Sequence, residues 1–282
     1  MRGRTDRDSL ADGRWTVGRT LLAPGIAGVV ALACVLIGAP TAGAATITVG
    51  SPLTGSFSQA SYTEAVTEIN TALAEPDTHT ASPVSGTVIG WRVEEAAGGP
   101  FFLTVVTPES NSRYVATALS AGETPTGSAT QTFTSDLPIK AGQTIGVDNS
   151  NVGDKLGYVT APGSAAIEFA PPLTIGSPAT GESASGYEIG FNAVVQPLPT
   201  VTGVKPHSGS KGRKVTIKGT NFDGTTAVKF GTKKAKKFKV ISDTKITAVA
   251  PAHHAGVVHV TVYNPGKSAP SKGSKFKFKK SA

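Results

Sequence analysis

The 282-residue sequence predicts an all-β protein with two β-sandwich domains that follow a cleaved export signal. Three observations support this fold class. Apolar and polar residues alternate in short stretches such as Val258 to Val262, which is typical of strands with one buried face. The 33 glycines and 19 prolines separate these stretches instead of clustering. No long stretch has the apolar period of an amphipathic helix.

Residues 1–44 have the pattern of a secretory signal peptide. Five arginines outnumber three aspartates before residue 20, an apolar run extends from Gly25 to Ala39, and Ala42-Gly43-Ala44 offers small residues for cleavage. A retained membrane anchor is the competing interpretation, although Pro24 and several glycines interrupt the apolar stretch. Lipidation of Cys34 is disfavoured because alanine stands three residues before it. We therefore predict secretion and a mature chain without cysteine.

The first domain is predicted from Ala45 to Gln196. Clusters of Gly, Pro, Asn and Asp bound its expected strands, which are Thr46–Val49, Gly86–Val93, Phe101–Thr107, Tyr114–Leu119, Thr130–Phe133, Thr144–Val147, Ala166–Phe169 and Glu188–Val194. Tyr62–Leu73 is the best helical candidate, because its apolar residues have helix-like spacing before Glu75-Pro76-Asp77. We expect a short helix or an irregular excursion there.

A nine-residue pattern occurs near each end of this domain. Ile47–Gly55 reads ITVGSPLTG, and Leu173–Gly181 reads LTIGSPATG. Two copies are too few for a solenoid. We expect two similar strand-and-turn pieces, with pairing between them as one arrangement and a binding loop used twice as the alternative.

The second domain is predicted from residue 197 to residue 282, after the proline-rich connector Gln196-Pro197-Leu198-Pro199. Its strands alternate regularly and end at glycine turns. The run from Pro199 to Phe278 resembles an IPT/TIG domain, which is an immunoglobulin-like β-sandwich. The residues that carry the resemblance are Pro206, Gly209, Gly219-Thr220-Asn221-Phe222, Phe230-Gly231, Ala235, Pro251 and Gly256. The resemblance implies a fold, which by itself specifies no ligand.

The first domain resembles a jelly-roll-type β-sandwich of secreted bacterial proteins that often accompanies IPT/TIG domains. Ser82–Gly86 leading to Ile89–Val93 carries this resemblance, together with Leu137–Gly142 leading to Ile145–Asp148. The chain as a whole thus resembles a secreted bacterial protein that contains an IPT/TIG domain. The resemblance of the first domain implies no established activity.

The net charge changes sign at the boundary between the two domains. Ala45–Leu198 has four basic and fourteen acidic residues, a net of −10, whereas Pro199–Ala282 has eighteen basic and two acidic residues, a net of +16. Such a basic domain attracts polyanions at low salt. The candidate binding residues are Lys233, Lys234, Lys236, Lys237 and Lys239 in one cluster and Lys272, Lys275, Lys277, Lys279 and Lys280 in another. Alternatively, these lysines only prevent aggregation.

Carbohydrate binding would require exposed aromatic side chains as a stacking platform. We expect Trp91 in the core, because it shares a strand face with Ile89 and Val93. The remaining aromatic candidates are scattered along the sequence: Tyr62, Tyr114, Tyr158 and Tyr187. The sequence therefore identifies no aromatic platform for a sugar.

The sequence shows no recognisable catalytic constellation. Glu94 and Glu95 are neighbours on a strand and point to opposite faces, so they cannot act as an acid/base pair across one glycosidic bond. His79 has no serine or cysteine nucleophile motif around it. We predict that the protein is not an enzyme.

Two groups of residues have the chemistry of metal ligands: His253, His254 and His259, and Asp148, Ser150 and Asp154. No carboxylate or thiol lies near the histidines in the sequence. The aspartate loop has Val159 where a calcium loop requires an acidic residue. We predict neither a metal nor a cofactor.

These observations favour a secreted, non-catalytic binding or surface-association protein. The basic domain would dock on an anionic cell-envelope polymer or polysaccharide, and the acidic domain would face a second partner. The alternatives are a structural spacer that self-associates through opposite charges and a carbohydrate-binding accessory module. The export signal argues against nucleic acid as a partner. We expect no covalent wall anchor, because neither a sorting motif nor an apolar tail follows Pro199.

Overall fold

The computed structural model describes residues 45–127 and 129–280. All regular elements of this part of the chain are β-strands, as predicted. Within the same ranges, no helix is long and apolar enough to span a membrane. The predicted signal peptide, residues 1–44, lies outside the described residues.

The first sandwich contains the strands between Ile47 and Pro197. They are β1 (Ile47–Gly50), β2 (Ser58–Ser61), β3 (Thr67–Ala72), β4 (Gly86–Val93), β5 (Ala96–Ala97), β6 (Phe102–Pro108), β7 (Arg113–Leu119), β8 (Thr126–Gly127), β9 (Gln131–Ile139), β10 (Thr144–Asp148), β11 (Lys155–Phe169), β12 (Pro178–Thr180), β13 (Glu182–Ile189) and β14 (Phe191–Pro197). The smaller sheet has the order β1-β14-β4-β9, and the larger has the order β12-β7-β6-β10-β3-β11-β5-β8. Strands β2 and β13 also pair with β11.

The core of the first sandwich lies between these two sheets. Trp91 and Phe191 from the smaller sheet pack in one apolar cluster with Leu103 and Ala166 from the larger sheet. Ile167 follows Ala166 but belongs to a second cluster with Phe169 and Leu173. Because neighbouring strand residues point to opposite faces, the larger sheet is covered by apolar side chains on both sides.

The helix expected within Tyr62–Leu73 is absent, because β3 (Thr67–Ala72) is a strand between β10 and β11. The first four residues of β3 are all buried. A strand that is covered on both faces does not show simple alternation, so the spacing of its apolar residues resembled that of a helix. Asn70 fixes the strand, since its side chain exchanges two 2.9 Å hydrogen bonds with the backbone of Ile189.

The predicted strand Glu188–Val194 is two strands in the structure. β13 ends at Ile189 in the larger sheet, and β14 begins at Phe191 in the smaller sheet. The chain changes sheets at Gly190, where an added Cβ atom would lie 3.0 Å from the Phe57 ring. The apolar pattern continues across this corner because both strands contribute to the core.

The two copies of the repeated pattern do not pair with each other. The first copy contains β1, which pairs with β14, whereas the second makes an isolated bridge between Ile175 and Ala116 and contains β12, which pairs with β7. Gly50 and Gly176 both have positive φ, 99° and 80°. The copies therefore share a glycine turn and not a common strand pairing.

The C-terminal sandwich is formed by β15 (Thr200–Lys205), β16 (Ser208–Gly209), β17 (Lys214–Thr220), β18 (Ala227–Phe230), β19 (Lys233–Lys234), β20 (Lys237–Ser242), β21 (Lys245–Val249), β22 (Gly256–Asn264), β23 (Gly266–Lys267) and β24 (Lys275–Phe278). One sheet has the order β15-β17-β21-β20. The other has the order β16-β24-β22-β18-β19, with β23 paired to β22. Their shared core includes Ile217, Phe222, Phe230, Phe276 and Phe278.

The connector between the sandwiches is hydrogen-bonded on both sides. Leu198 N donates to Ser85 O over 3.1 Å, and Leu198 O accepts from Asn221 Nδ2 over 3.0 Å. Asn221 comes two residues after Gly219 of β17, where a Cβ atom would lie 1.8 Å from Thr200 O. Only glycine fits at this close approach of the paired strands β15 and β17.

Candidate functional site

The ten lysines predicted to bind a polyanion are all exposed, but they do not form the two patches that their sequence positions suggest. Lys237 and Lys239 lie on the outer face of the sheet β15-β17-β21-β20. Lys234, Lys275 and Lys277 lie on the outer face of the opposite sheet. The others occupy edges, turns and the chain after β24: Lys233, Lys236, Lys272, Lys279 and Lys280.

Six lysines share the outer surface of one four-stranded sheet, and we call this surface the first lysine face. Its members are Lys205, Lys214, Lys218, Lys237, Lys239 and Lys245. Alternation in the sequence sets their direction. In β17, Val215 and Ile217 are buried in the core, so Lys214 and Lys218 point to solvent. Sequence clustering alone missed four of the six, because they belong to three separate strands.

The register of the sheet arranges the first lysine face in rows. Lys237 and Lys214 flank Val249 in one row, and Lys239 and Lys205 flank two threonines in the next. Neighbouring strands are about 4.8 Å apart, and alternate residues along a strand are about 7 Å apart. In the third row, Lys218 stands directly opposite Lys245. Like charges in this position destabilise a sheet unless an anion compensates them.

The opposite sheet carries a second lysine face, formed by Lys229, Lys234, Lys267, Lys275 and Lys277. Lys229 stands opposite Lys234, and its Nζ atom lies 4.8 Å from the centre of the Tyr263 ring. Val257, opposite Lys277, is 60 % exposed. This face is therefore basic but is interrupted by an aromatic contact and an exposed valine.

The acidic residues of this sandwich do not neutralise either face. Asp243 caps a turn, because its carboxylate accepts 3.2 Å hydrogen bonds from the backbone of Asn221 and of Asp223. In the described part of the chain, the one salt bridge joins Arg113 to Glu109 in the first sandwich, at 3.7 Å. The described lysines of both faces therefore have no carboxylate in ion-pair contact.

Residues 199–278 match the family model of the IPT/TIG domain. This C-terminal sandwich is an IPT/TIG domain. The match confirms the resemblance drawn from the glycine and proline markers, and it fixes the immunoglobulin-like fold of this part of the chain. A comparison with curated proteins found no match to the chain. The fold of the IPT/TIG domain presents both lysine faces but does not identify a ligand.

The first sandwich contains a concave site that the sequence did not indicate, and we call it the acidic pocket. It has a volume of about 460 Å³ and brings together Tyr62, Glu68, Tyr158, Glu168 and Tyr187. These residues come from three separate segments of the sequence, 62–68, 158–168 and Tyr187. The long strand β11 unites them by pairing with β2, β3 and β13. Tyr114 lies elsewhere, in edge-to-face contact with Phe169.

Glu68 is the most buried charged group of the acidic pocket, with 7 % of its surface exposed. The Tyr62 hydroxyl donates a 2.5 Å hydrogen bond to Glu68 Oε2. Burial raises the pKa of Glu68 to about 7, the Tyr62 hydrogen bond opposes this change, and the charge of Glu168 adds to it. Glu168 stands directly opposite Glu68 in the pairing of β11 with β3.

The other candidates from the sequence have structural roles. Asp154 accepts backbone hydrogen bonds from Gly99, Ser150 and Asn151, at 2.7, 3.1 and 2.8 Å. The ring of His253 stacks on Phe278 with centroids 4.7 Å apart. Across residues 45–127 and 129–280, no three His, Cys, Asp or Glu side chains are grouped as metal ligands.

Trp91 is fully buried, as predicted, but the prediction that Ile89 shares its buried strand face is wrong. Ile89 is 37 % exposed, because the register of β4 against β9 shifts between Val88 and Gly90. A β-bulge at this point turns Ile89 away from the core.

Proposed function

We propose that the protein is an exported, non-catalytic binding protein that associates with an anionic polymer of the cell envelope through its IPT/TIG domain. The observation that carries this proposal is the first lysine face, in which six exposed lysines occupy one outer sheet surface. None of the six forms a salt bridge within the described residues. A surface of this kind favours contact with a chain of regularly spaced negative charges.

Such binding is strong because several weak ion pairs form at the same time. One exposed ion pair contributes about 0–1 kcal/mol, because water and salt screen it. Several lysines on a rigid sheet contact consecutive anionic groups at once, so that small contributions add without new ordering of the backbone. The threonines between the lysines, Thr216 and Thr247, are short and leave the face open to an extended polymer.

The first lysine face is a better platform than the second. Its rows contain lysine, threonine and valine, whereas the second face includes Lys229 held above Tyr263 and the exposed Val257. Each face has one directly opposed lysine pair, Lys218–Lys245 on the first and Lys229–Lys234 on the second, but only in the second pair does one lysine already contact an aromatic ring. We therefore place the main contact on the first face.

The experiment compares two charge-matched variants of the full chain. The first-face variant replaces Lys214, Lys218, Lys239 and Lys245 with Gln, and the second-face variant replaces Lys229, Lys234, Lys275 and Lys277 with Gln. Each protein is co-sedimented at low salt with envelope that retains or lacks its anionic polymers. We expect the first-face variant to lose about tenfold in affinity, which corresponds to about 1.4 kcal/mol. The second-face variant should lose much less.

Equal losses in the two variants would show that net charge alone matters and would contradict the placement. Binding by the first-face variant at the wild-type level would show that its lysines serve solubility only. Growth of the sedimentation coefficient at low salt without polymer would favour the competing role, a component that self-associates through its acidic and basic parts.

A further inference from the structure

We propose that the acidic pocket of the first sandwich binds a small organic cation, in which an amine or quaternary ammonium group lies between the carboxylates and the tyrosine rings. The pocket volume of about 460 Å³ is in the range of sites for small molecules. This inference is independent of the polymer contact proposed for the IPT/TIG domain.

The pocket is built on paired strands. Leu156 and Tyr158 of β11 stand opposite Ala60 and Ser58 of β2, and Thr160 stands opposite Tyr187 of β13. Backbone hydrogen bonds of the sheet therefore fix the lining side chains. Such a site holds a ligand with little ordering of the protein.

The negative charges around the pocket favour a cationic ligand. Glu68 and Glu168 line it from directly opposite positions, and the charges of Glu64 and Glu182 act on Glu168. Of the described lysines and arginines, none makes a salt bridge to these four carboxylates. One oxygen of Glu68 accepts the hydrogen bond from Tyr62, and no described residue donates to the other. A buried carboxylate in this position gains when a ligand supplies the missing positive charge.

The three tyrosines decide which kind of cation fits. Tyr62, Tyr158 and Tyr187 give the pocket aromatic surface, and Leu156 and Ile189 add apolar contacts. Aromatic faces attract ammonium groups, most strongly where water is excluded. A hydrated metal ion would leave the rings unused, and a neutral sugar would leave both carboxylates without a counter-charge. An alkylated ammonium group satisfies the rings and the carboxylates together.

Binding should be linked to protonation. Burial and the charge of Glu168 hold the pKa of Glu68 near 7, so a substantial fraction of Glu68 is protonated at neutral pH. The titratable groups around it are Tyr62 before β3, Glu168 on β11, Tyr187 on β13, and the more distant Glu64 and Glu182. A bound cation favours the ionised carboxylate and releases a proton. Affinity should therefore fall as the pH decreases below about 7.

The test titrates the full chain with choline and with 3,3-dimethylbutan-1-ol, which has the same shape without the charge. Calorimetry at pH 8 should show at least tenfold tighter binding of choline. Glu68→Gln should reduce choline affinity about tenfold and should make the loss of affinity between pH 8 and pH 6 smaller. Tyr158→Leu should weaken choline binding severalfold, whereas Tyr114→Phe, outside the pocket, should not change it.

Fluorescence of the buried Trp91 reports whether each variant retains the folded first sandwich. Equal affinities for choline and the neutral alcohol would overturn the proposal. Binding of glucose or calcium chloride in place of choline, lost in Glu68→Gln, would overturn it in favour of a sugar or a metal site. The first-face lysine variant should bind choline like the wild type, so that failure of the polymer proposal does not affect this result.

Discussion

The two sandwiches differ in where they place their polar groups. The first buries charged and amide side chains such as Glu68, Asp148, Glu188 and Asn192, whereas the IPT/TIG domain buries only Asn264, Ser268 and Ser274 among its described polar residues. In the part of the chain that the structure describes, all buried polar atoms without a hydrogen-bond partner lie in the first sandwich. So do all groups with a shifted pKa.

We propose that this difference suits the two sandwiches to two kinds of recognition. A buried, incompletely satisfied polar group costs stability, and it remains useful where a ligand completes it. The IPT/TIG domain instead keeps an apolar core and carries its charge on outward positions, where each lysine remains hydrated. We infer that the first sandwich presents a selective pocket and the second presents a broad charged surface.

A large-to-small substitution in the core of the IPT/TIG domain tests whether the two cores are energetically separate. Phe230 packs edge-to-face against Phe276 and Phe278, with centroids 5.3 and 6.0 Å apart. Phe230→Ala should destabilise the IPT/TIG domain by about 3–5 kcal/mol, because it leaves a cavity in this cluster. Hydrogen exchange of β18 and β22 measures this loss. Trp91 is the single tryptophan after residue 44, and its fluorescence should report an unchanged first sandwich.

Val257→Ala is the matched control, since Val257 is 60 % exposed on the same domain and should cost little. An equal shift of the Trp91 transition in Phe230→Ala would show that the two cores unfold as one unit. The two sandwiches would then still differ in where they place polar groups, but they would not be separate units of stability.

The next effect in size concerns how the stability of the first sandwich depends on pH. The pKa of Glu68 in the folded state is about 7, above its ordinary value of 4.5, so the folded protein binds the proton more tightly than the unfolded chain. Stability is then greatest below pH 4.5 with respect to this group and decreases as the pH rises towards 7. Glu68→Gln should therefore stabilise the protein by on the order of 2–3 kcal/mol at pH 8 and have little effect at pH 4.

Urea unfolding followed by Trp91 fluorescence measures this pH dependence. Asp136→Asn, at an exposed position outside the described salt bridge, is the control and should follow the wild type at both values of pH. A Glu68→Gln variant that is less stable at pH 8 would show that the carboxylate already has a favourable partner. That result would weaken the contrast between the two sandwiches.

The smallest effect concerns the lysine faces. Lys218 and Lys245 stand directly opposite each other, and like charges in this position destabilise a sheet. Lys218→Gln should stabilise the IPT/TIG domain by about 0.2–1 kcal/mol at low salt, whereas Lys239→Gln, opposite Thr247, should have a smaller effect. Hydrogen exchange of β17 and β21 at low and high salt measures the difference. Destabilisation by Lys218→Gln would show that the pair is not repulsive.

The fold of the IPT/TIG domain could be predicted because its signals are local. Gly219 permits the close pairing of β15 and β17, and the alternating valines of β22 mark its buried face. The distribution of the lysines over two sheets could not be predicted from such local signals. Lys234 and Lys237 are three residues apart, but the chain crosses from one sheet to the other between them. Sequence proximity therefore suggested a single patch where the fold makes two surfaces.

The acidic pocket required the tertiary structure. Tyr62 and Tyr187 are separated by more than a hundred residues, and only the pairings of β11 bring them to one site. The sequence around Glu68 resembled a helix because β3 is covered on both faces. Burial of Glu68 and its contact with Tyr62 follow from long-range strand order, which no local pattern contains.

Salt dependence distinguishes contact with an anionic polymer through one face of the IPT/TIG domain from a contact that depends on net charge alone. Affinity for a purified envelope polyanion should be measured at several salt concentrations for the wild type and the two fourfold lysine variants. Each lost ionic contact reduces the steepness of the salt dependence. We expect a clearly shallower dependence for the first-face variant and a nearly unchanged one for the second-face variant. Identical dependence in both variants would contradict contact through one face.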